Sequence, residues 1–133
     1  MARLELGQTG EVTARVEAHM LASAVGSGSL QVLSTPWLVA LLERAACAAV
    51  EARLDDATQT TVGVRIDVRH LAPTPAGADV RARAELIELD GRRLVFHVEA
   101  FDATERIGEG THERAVVDAQ RLQARADAKR PTS

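Results

Sequence analysis

The sequence predicts an α+β fold in which one long central helix is wrapped by a curved antiparallel sheet of about five strands, as one domain over residues 1–133. Three observations carry this. Residues 34–54 are nearly all apolar at helical spacing. The segments between residues 61 and 117 alternate apolar and polar side chains. Short turn sequences join those segments, which favours antiparallel neighbours. A sheet with one apolar face and a helix with little polar surface each need a partner, and a sheet curved around the helix satisfies both.

In chain order, residues 11–17 alternate and are expected to form the first strand. Residues 19–33 contain Gly26-Ser27-Gly28-Ser29, a flexible loop that is either a gate over a site or a plain connector. In the helix, Thr35 is a good N-cap and Pro36 suits the first helical position. Ala and Leu fill the interior and favour the helix intrinsically. At about 100° per residue, Trp37, Leu38, Leu41, Leu42, Ala45, Ala48, Ala49 and Ala52 cover one broad side. Val39, Ala46, Cys47 and Val50 form a side of small residues, and Arg44 and Glu51 share a direction that reaches water. A helix apolar almost all round is expected to be buried. Glu43 lies on the small-residue side, roughly 90° from Arg44 and Glu51, where packing alone does not explain a carboxylate.

After the helix, Asp55-Asp56-Ala57-Thr58 is a polar turn. Residues 61–71 then give the clearest alternation, with Val62, Val64, Ile66 and Val68 on one face and Arg65, Asp67 and Arg69 on the other. His70 continues the apolar row. Pro73-Thr74-Pro75-Ala76-Gly77 is a turn by composition. Residues 80–89 form a strand with Val80, Ala82, Ala84 and Leu86 on one side, and Asp90-Gly91 signals a tight hairpin. The chain returns through residues 92–101 with Leu94, Phe96, Val98 and Ala100 alternating, and turns at Asp102-Ala103-Thr104-Glu105. Residues 106–117 form the last strand, in which Gly108 and Gly110 indicate a bulge or a close backbone approach. Residues 118–133 are a polar C-terminal tail, helical in spacing up to residue 129 and frayed at its end. The small-residue side of the helix and any uncovered sheet edge predict self-association.

Composition excludes several functions. A net charge of −3 argues against a nucleic-acid binder, and 2% aromatic content removes the stacking platforms used for single strands. The single cysteine, Cys47, rules out an intrachain disulfide and fits a reducing compartment. The first seven residues lack the apolar run of a signal peptide, and no segment approaches the ~20 apolar residues of a membrane span. A cytoplasmic protein without membrane contact is expected. No spacing of His, Cys and carboxylate resembles a zinc site, so no metal is expected.

Near the end of the chain, Ile107-Gly108-Glu109-Gly110-Thr111-His112-Glu113-Arg114-Ala115-Val116-Val117 resembles the last core strand of small hotdog-fold acyl-CoA thioesterases similar to fluoroacetyl-CoA thioesterase. Three further pieces fit that family in order: Thr35 with Glu43 eight positions later, Gly63 followed by His70, and the hairpin Asp90-Gly91-Arg92-Arg93-Leu94. The resemblance covers residues 35–117. It implies the hotdog fold and a thioesterase working at a dimer interface, with Thr35, Glu43 and His70 catalytic. It further implies that Gly63 gives a backbone contact near the reacting carbonyl and that Arg114 lies close to the site. The expected partners are an acyl-CoA substrate and a second copy, with tetramers left open; no separate cofactor is implied, because coenzyme A is part of the substrate. One departure stands out. The family's fluoroacetyl-selective member has a longer loop before the helix bearing aromatic residues that close over the acyl group, whereas this chain reads Ala24-Val25-Gly26-Ser27-Gly28-Ser29-Leu30.

Thioester hydrolysis needs a nucleophile or activated water, an oxyanion partner and a proton for the leaving thiolate. Glu43 suits direct attack or general-base work, and its alternative is a structural pair with an arginine such as Arg114. Apolar surroundings would raise its pKa, and a protonated histidine would lower it. His70 suits orienting the base or protonating the thiolate. Thr35 has a complete explanation as a cap, yet a helix start also presents N–H groups to a developing oxyanion. Eight helical residues span about 12 Å, so Thr35 and Glu43 of a straight helix do not touch one atom. Either Thr35 precedes the helix and folds back, or a dimer completes the site. Of the other histidines, His97 counts to the polar face and His112 belongs to the strand motif, where a structural role is at least as good a reading; His19 carries no signal. Cys47, with alanine on both sides, is expected to be an inert thiol. Asp79, Arg81, Arg83, Arg92 and Arg93 make a solvated face, from which an arginine suits coenzyme A phosphates. Two competitors remain: a non-catalytic acyl-CoA-binding or scaffold protein of the same fold, and an enoyl-CoA hydratase. The hydratase reading wants an Asp followed by a His on the central helix, and neither residue occurs between Thr35 and Leu54.

Overall fold

Period-two alternation decides which face of each strand is dry, and the residues it selects are the buried ones. Val80, Ala82, Ala84 and Leu86 are at most 1% exposed, and Leu94, Phe96, Val98 and Ala100 are fully buried. They belong to a computed structural model that describes residues 4–54 and 57–132, so Asp55 and Asp56 of the expected turn lie outside the described residues. The elements are β1 (Thr9–Arg15), a short α1 (Ala22–Val25), α2 (Thr35–Val50), β2 (Gln59–His70), β3 (Asp79–Asp90), β4 (Arg93–Phe101), β5 (Arg106–Asp118) and α3 (Ala119–Asp127). The five strands form one antiparallel sheet in the order β1-β3-β4-β5-β2. The sheet curls so that α2 touches every strand, which is the hotdog arrangement. Among the described residues no helix is long and apolar enough to cross a membrane.

Small residues let this wrapping close. A Cβ on Gly10 of β1 would stand 2.3 Å from both the Ala45 carbonyl oxygen and the Ala49 amide nitrogen, so strand and helix meet backbone to backbone. On β5, a Cβ at Gly108 would stand 2.9 Å from the Leu38 side chain, and one at Gly110 would run into the backbone at Asp67. The close approach expected for these two glycines is present. A bulge also occurs, at Ile107, where the β4–β5 register slips between Ala100 and Phe101.

Four local expectations are corrected. The N-cap of α2 is Ser34, not Thr35: its hydroxyl accepts from the Trp37 N–H at 3.3 Å, and Thr35 is the first helical residue. The helix is not enclosed all round. Leu38, Leu41, Leu42, Ala45, Ala46, Ala49 and Val50 are buried, while Ala48 and Ala52 of the expected apolar side are exposed. The stretch before α2 is no free loop, for it holds α1 and is pinned by bridges of Leu21 to Leu33 and Val32 to Pro75. Finally, β2 carries a bulge between Gly63 and Arg65, and Val64 is its extra residue, 57% exposed. The bulge reverses the facing rule, so that Thr61 and Gly63 join Ile66, Val68 and His70 on the helix side. The β3–β4 hairpin forms as expected, with Gly91 (φ 60°) the only loop residue at positive φ, the pattern of a type II′ turn.

The tight seam between β1 and α2 has a direct consequence. Gly10→Ala forces backbone apart and should destabilise the fold by about 1–3 kcal/mol, read as a lower urea midpoint. An unchanged midpoint would mean that β1 does not lie against the helix.

Candidate active site

Because Ser34 caps α2, the hydroxyl of Thr35 is released for another partner. It lies 2.8 Å from Nδ1 of His70, the last residue of β2. The other ring nitrogen, Nε2, is buried and has no hydrogen-bond partner among the described residues. Burial pushes the His70 pKa below its ordinary 6.5. Beside the pair is a cavity of about 320 Å³ lined by Val32, Thr35, His70, Leu71, Ala72 and Pro73.

Glu43 lies two turns further along α2, roughly 12 Å by helical rise. It opens onto a groove of about 540 Å³ whose walls include Ala40, Cys47, Ala48, Gly63 and Arg114. The glycine leaves room for the carboxylate, since a Cβ on Gly63 would lie 2.9 Å from Oε2 of Glu43 and the end of that side chain would have to shift. The β2 bulge is what puts Gly63, rather than Val62 or Val64, at that point. Oε2 is 3.9 Å from Arg114 Nη1, a long ion pair, and 3.9 Å from His112 Nε2, both beyond hydrogen-bond distance, so these contacts leave the carboxylate free to accept hydrogen bonds elsewhere. With its side chain 39% exposed, Glu43 stands in an open groove and not in a dry crevice.

Arg114 is held from three sides. Its Nε donates to Thr61 Oγ1 at 2.9 Å, its Nη2 to the Thr61 carbonyl at 3.0 Å, and its Nη1 contacts His112 Nε2 at 3.1 Å. His112 is 1% exposed, and its Nδ1 lies 2.8 Å from the Arg65 carbonyl oxygen. Its pKa is lowered, chiefly by burial and further by the Arg114 charge; the Arg65 carbonyl and Glu43 act in the opposite direction.

The chain therefore presents two half-sites instead of one. Thr35 meets His70; Glu43 meets Gly63 and Arg114. Within one chain Glu43 does not meet His70; its neighbour there is His112, the residue for which sequence reasoning found a structural role at least as good. Its inward parity on β5, shared with Arg114 and Val116, was the available signal. The outer sheet face is solvated as expected, with Arg81 paired to Glu11 at 3.0 Å and Arg93 to Glu88 and Glu113 at 3.2 Å. On that face His97, Glu99 and Glu109 gather possible ligand atoms within 4.8 Å, a cross-strand group with no sequence spacing to reveal it. Arg106 pairs with both of its carboxylates, at 3.4 and 2.6 Å.

Comparison with known proteins converges on one group. A family model described as fluoroacetyl-CoA-specific thioesterase matches residues 16–120. The fluoroacetyl-CoA thioesterase of Streptantibioticus cattleyicolor is 39% identical over 101 residues, 76% of this chain and 72% of that protein. A solved threonine-to-serine variant of the fluoroacetyl-CoA thioesterase in complex with acetyl-CoA superposes with a TM-score of 0.90 at 31% identity, covering 96% of this chain and all of the other. A thioesterase-superfamily member from Thermus thermophilus gives a TM-score of 0.82 at 25% identity, covering 97% of this chain.

Both inward histidines titrate below 6.5 in the folded chain. An unfolded histidine titrates near 6.5, so below that pH the unfolded chain binds more protons and folding loses free energy. The urea midpoint should fall between about pH 7 and about pH 5.5, and His112→Asn should make that fall shallower.

Proposed function

The chain belongs to the fluoroacetyl-CoA-specific thioesterase family, and on that premise we propose that it hydrolyses a short-chain acyl-CoA to free acid and coenzyme A. The observation that carries this reading is the Glu43 carboxylate, which stands in a groove without a hydrogen bond among the described residues, next to a buried guanidinium and close over Gly63. Glu43 is the group that drives oxygen onto the thioester carbonyl, by attacking it or by taking the proton of a water that attacks. The Arg114 guanidinium stands 3.9 Å from that carboxylate, and the backbone at Gly63 lies beside the reacting carbonyl. The proton that Glu43 takes from water passes to Nε2 of His70, and the imidazolium gives it to the thiolate as the C–S bond breaks. Thr35 supports that relay by accepting from Nδ1–H, which leaves Nε2 to take up and release the proton.

One chain keeps its two half-sites apart by the length of helix between them. The reading therefore includes a homodimer in which a second copy closes the groove. Two-fold pairing that sets two α2 helices antiparallel would bring the Thr35 end of one beside Glu43 of the other. Support comes from the small side chains Ala40, Cys47 and Ala48 along the groove, and from Val64 exposed on β2, an edge strand. No aromatic side chain occurs between Ala22 and Ser34, so the proposed substrates are short acyl groups in general and not fluoroacetyl alone. Action in the cytoplasm belongs to the same reading, supported by the free thiol of Cys47.

Free-thiol release from a panel of short acyl-CoAs tests the activity. Glu43→Gln should lower kcat by about 10²–10⁴-fold, and no turnover on any thioester would favour the binding-protein alternative. Mixing Glu43→Gln with His70→Ala chains, each inactive alone, should restore turnover if the half-sites combine across a dimer. No recovery in a confirmed mixed dimer would confine the site to one chain.

A further inference from the structure

We infer that His112 is a positioning residue for this hydrolysis, holding the Arg114 guanidinium at a set distance from Glu43 so that the carboxylate stays free to react. The inference rests on the thioesterase reading above and assigns a role to a side chain that reading does not use. It follows from the polarity of the two groups that grip the ring. The Arg65 carbonyl only accepts, so Nδ1 must carry the hydrogen. The Arg114 guanidinium only donates, so Nε2 must be the acceptor. One tautomer meets both demands, the neutral Nδ1–H form. Protonation would set a second N–H against Arg114 at 3.1 Å, two cations in contact within the core. Burial and the Arg114 charge hold the pKa down in keeping with this.

The bulge in β2 supplies the acceptor. It breaks the ladder between Gly63 and Arg65, and the Arg65 carbonyl beside it takes a side-chain partner. The ring also lies tilted against Phe96 at 6.3 Å between centroids, which limits its rotation. Gripped in this way, Nε2 draws Arg114 Nη1 to 3.1 Å and keeps it 3.9 Å from Glu43. Thr61 fixes Nε and Nη2, and among the described residues the hydrogen bond that restrains Nη1 is the one to His112. Without that acceptor, Nη1 swings to the nearest one left, Oε2 of Glu43, and a hydrogen-bonded ion pair occupies the lone pair the reaction needs.

Two substitutions separate positioning from simple support. The side-chain oxygen of His112→Gln reaches the place of Nε2 and can still accept from Arg114. His112→Asn keeps a donor near the Arg65 carbonyl and loses the Arg114 contact. In the thiol-release assay, His112→Asn should lower kcat about 10- to 100-fold with KM changed less than about threefold, and His112→Gln should stay within about fivefold of wild type. In an Arg114→Gln background, His112→Asn should then change kcat by less than about twofold, because there is no guanidinium left to restrain. Equal losses for Asn and Gln, or a full His112→Asn loss in that background, would overturn the assignment. The imidazole nitrogen-15 spectrum of the wild type needs no substrate. A neutral Nδ1–H tautomer persisting below pH 6.5 is expected, and an Nε2–H tautomer would overturn the geometry. If that spectrum is as expected while the wild type turns over no thioester, the hydrolase reading fails and the positioning role fails with it, but the contact stands.

Discussion

Backbone contact between α2 and the strands around it governs this structure. A helix wrapped on several sides by one sheet must present small residues wherever a strand crosses it. Gly10 against Ala45 and Ala49, and Gly108 against Leu38, are those crossings. Closing the wrap on most sides leaves one strip of α2 open, and Glu43 projects from that strip. The fold therefore does more than bury a core. It chooses the direction in which a carboxylate on an otherwise apolar helix can emerge.

Burying Arg114 is the second constraint. A guanidinium that is 7% exposed must have its donors satisfied, and the chain meets this with acceptors of unlike kinds: a hydroxyl, a backbone carbonyl and a neutral imidazole. None of them is a carboxylate. Had a second carboxylate filled that place, the guanidinium charge would have been spent inside the core. As built, its one uncompensated direction faces Glu43 across the space that Gly63 leaves open.

Alternation made the core strands legible. The alternate residues from Val80 to Leu86 and from Leu94 to Ala100 are buried as the pattern requires, and the order of strands and helix followed from turn composition. What escaped were features that leave no period. A bulge adds one residue without altering composition, so the count on β2 put Val62 and Val64 inward where Thr61 and Gly63 stand. Ser34 and Thr35 are adjacent capping residues of nearly equal propensity, and only the fold shows that Ser34 caps while Thr35 is engaged by His70. The candidate residues Thr35, Glu43, Gly63, His70 and Arg114 all face cavities or the interior, but spacing alone could not show that they divide into two groups. His112 was passed over because an inward histidine on a core strand has a sufficient structural explanation until its neighbours are known.

Those neighbours also decide which imidazole can move a proton. His112 is gripped by a group that only accepts and a group that only donates, so changing its protonation breaks a contact on one side or the other. His70 is different. Its partner is a hydroxyl, which donates or accepts as required, and its second nitrogen has no hydrogen-bond partner among the described residues. With Nδ1–H donating to the Thr35 hydroxyl, the ring can take up and give back a proton at Nε2 without breaking that hydrogen bond. The same strand pair thus supports one imidazole held in a single state and one able to change, and the second is the one to which the proposed proton transfer to a departing thiolate is assigned.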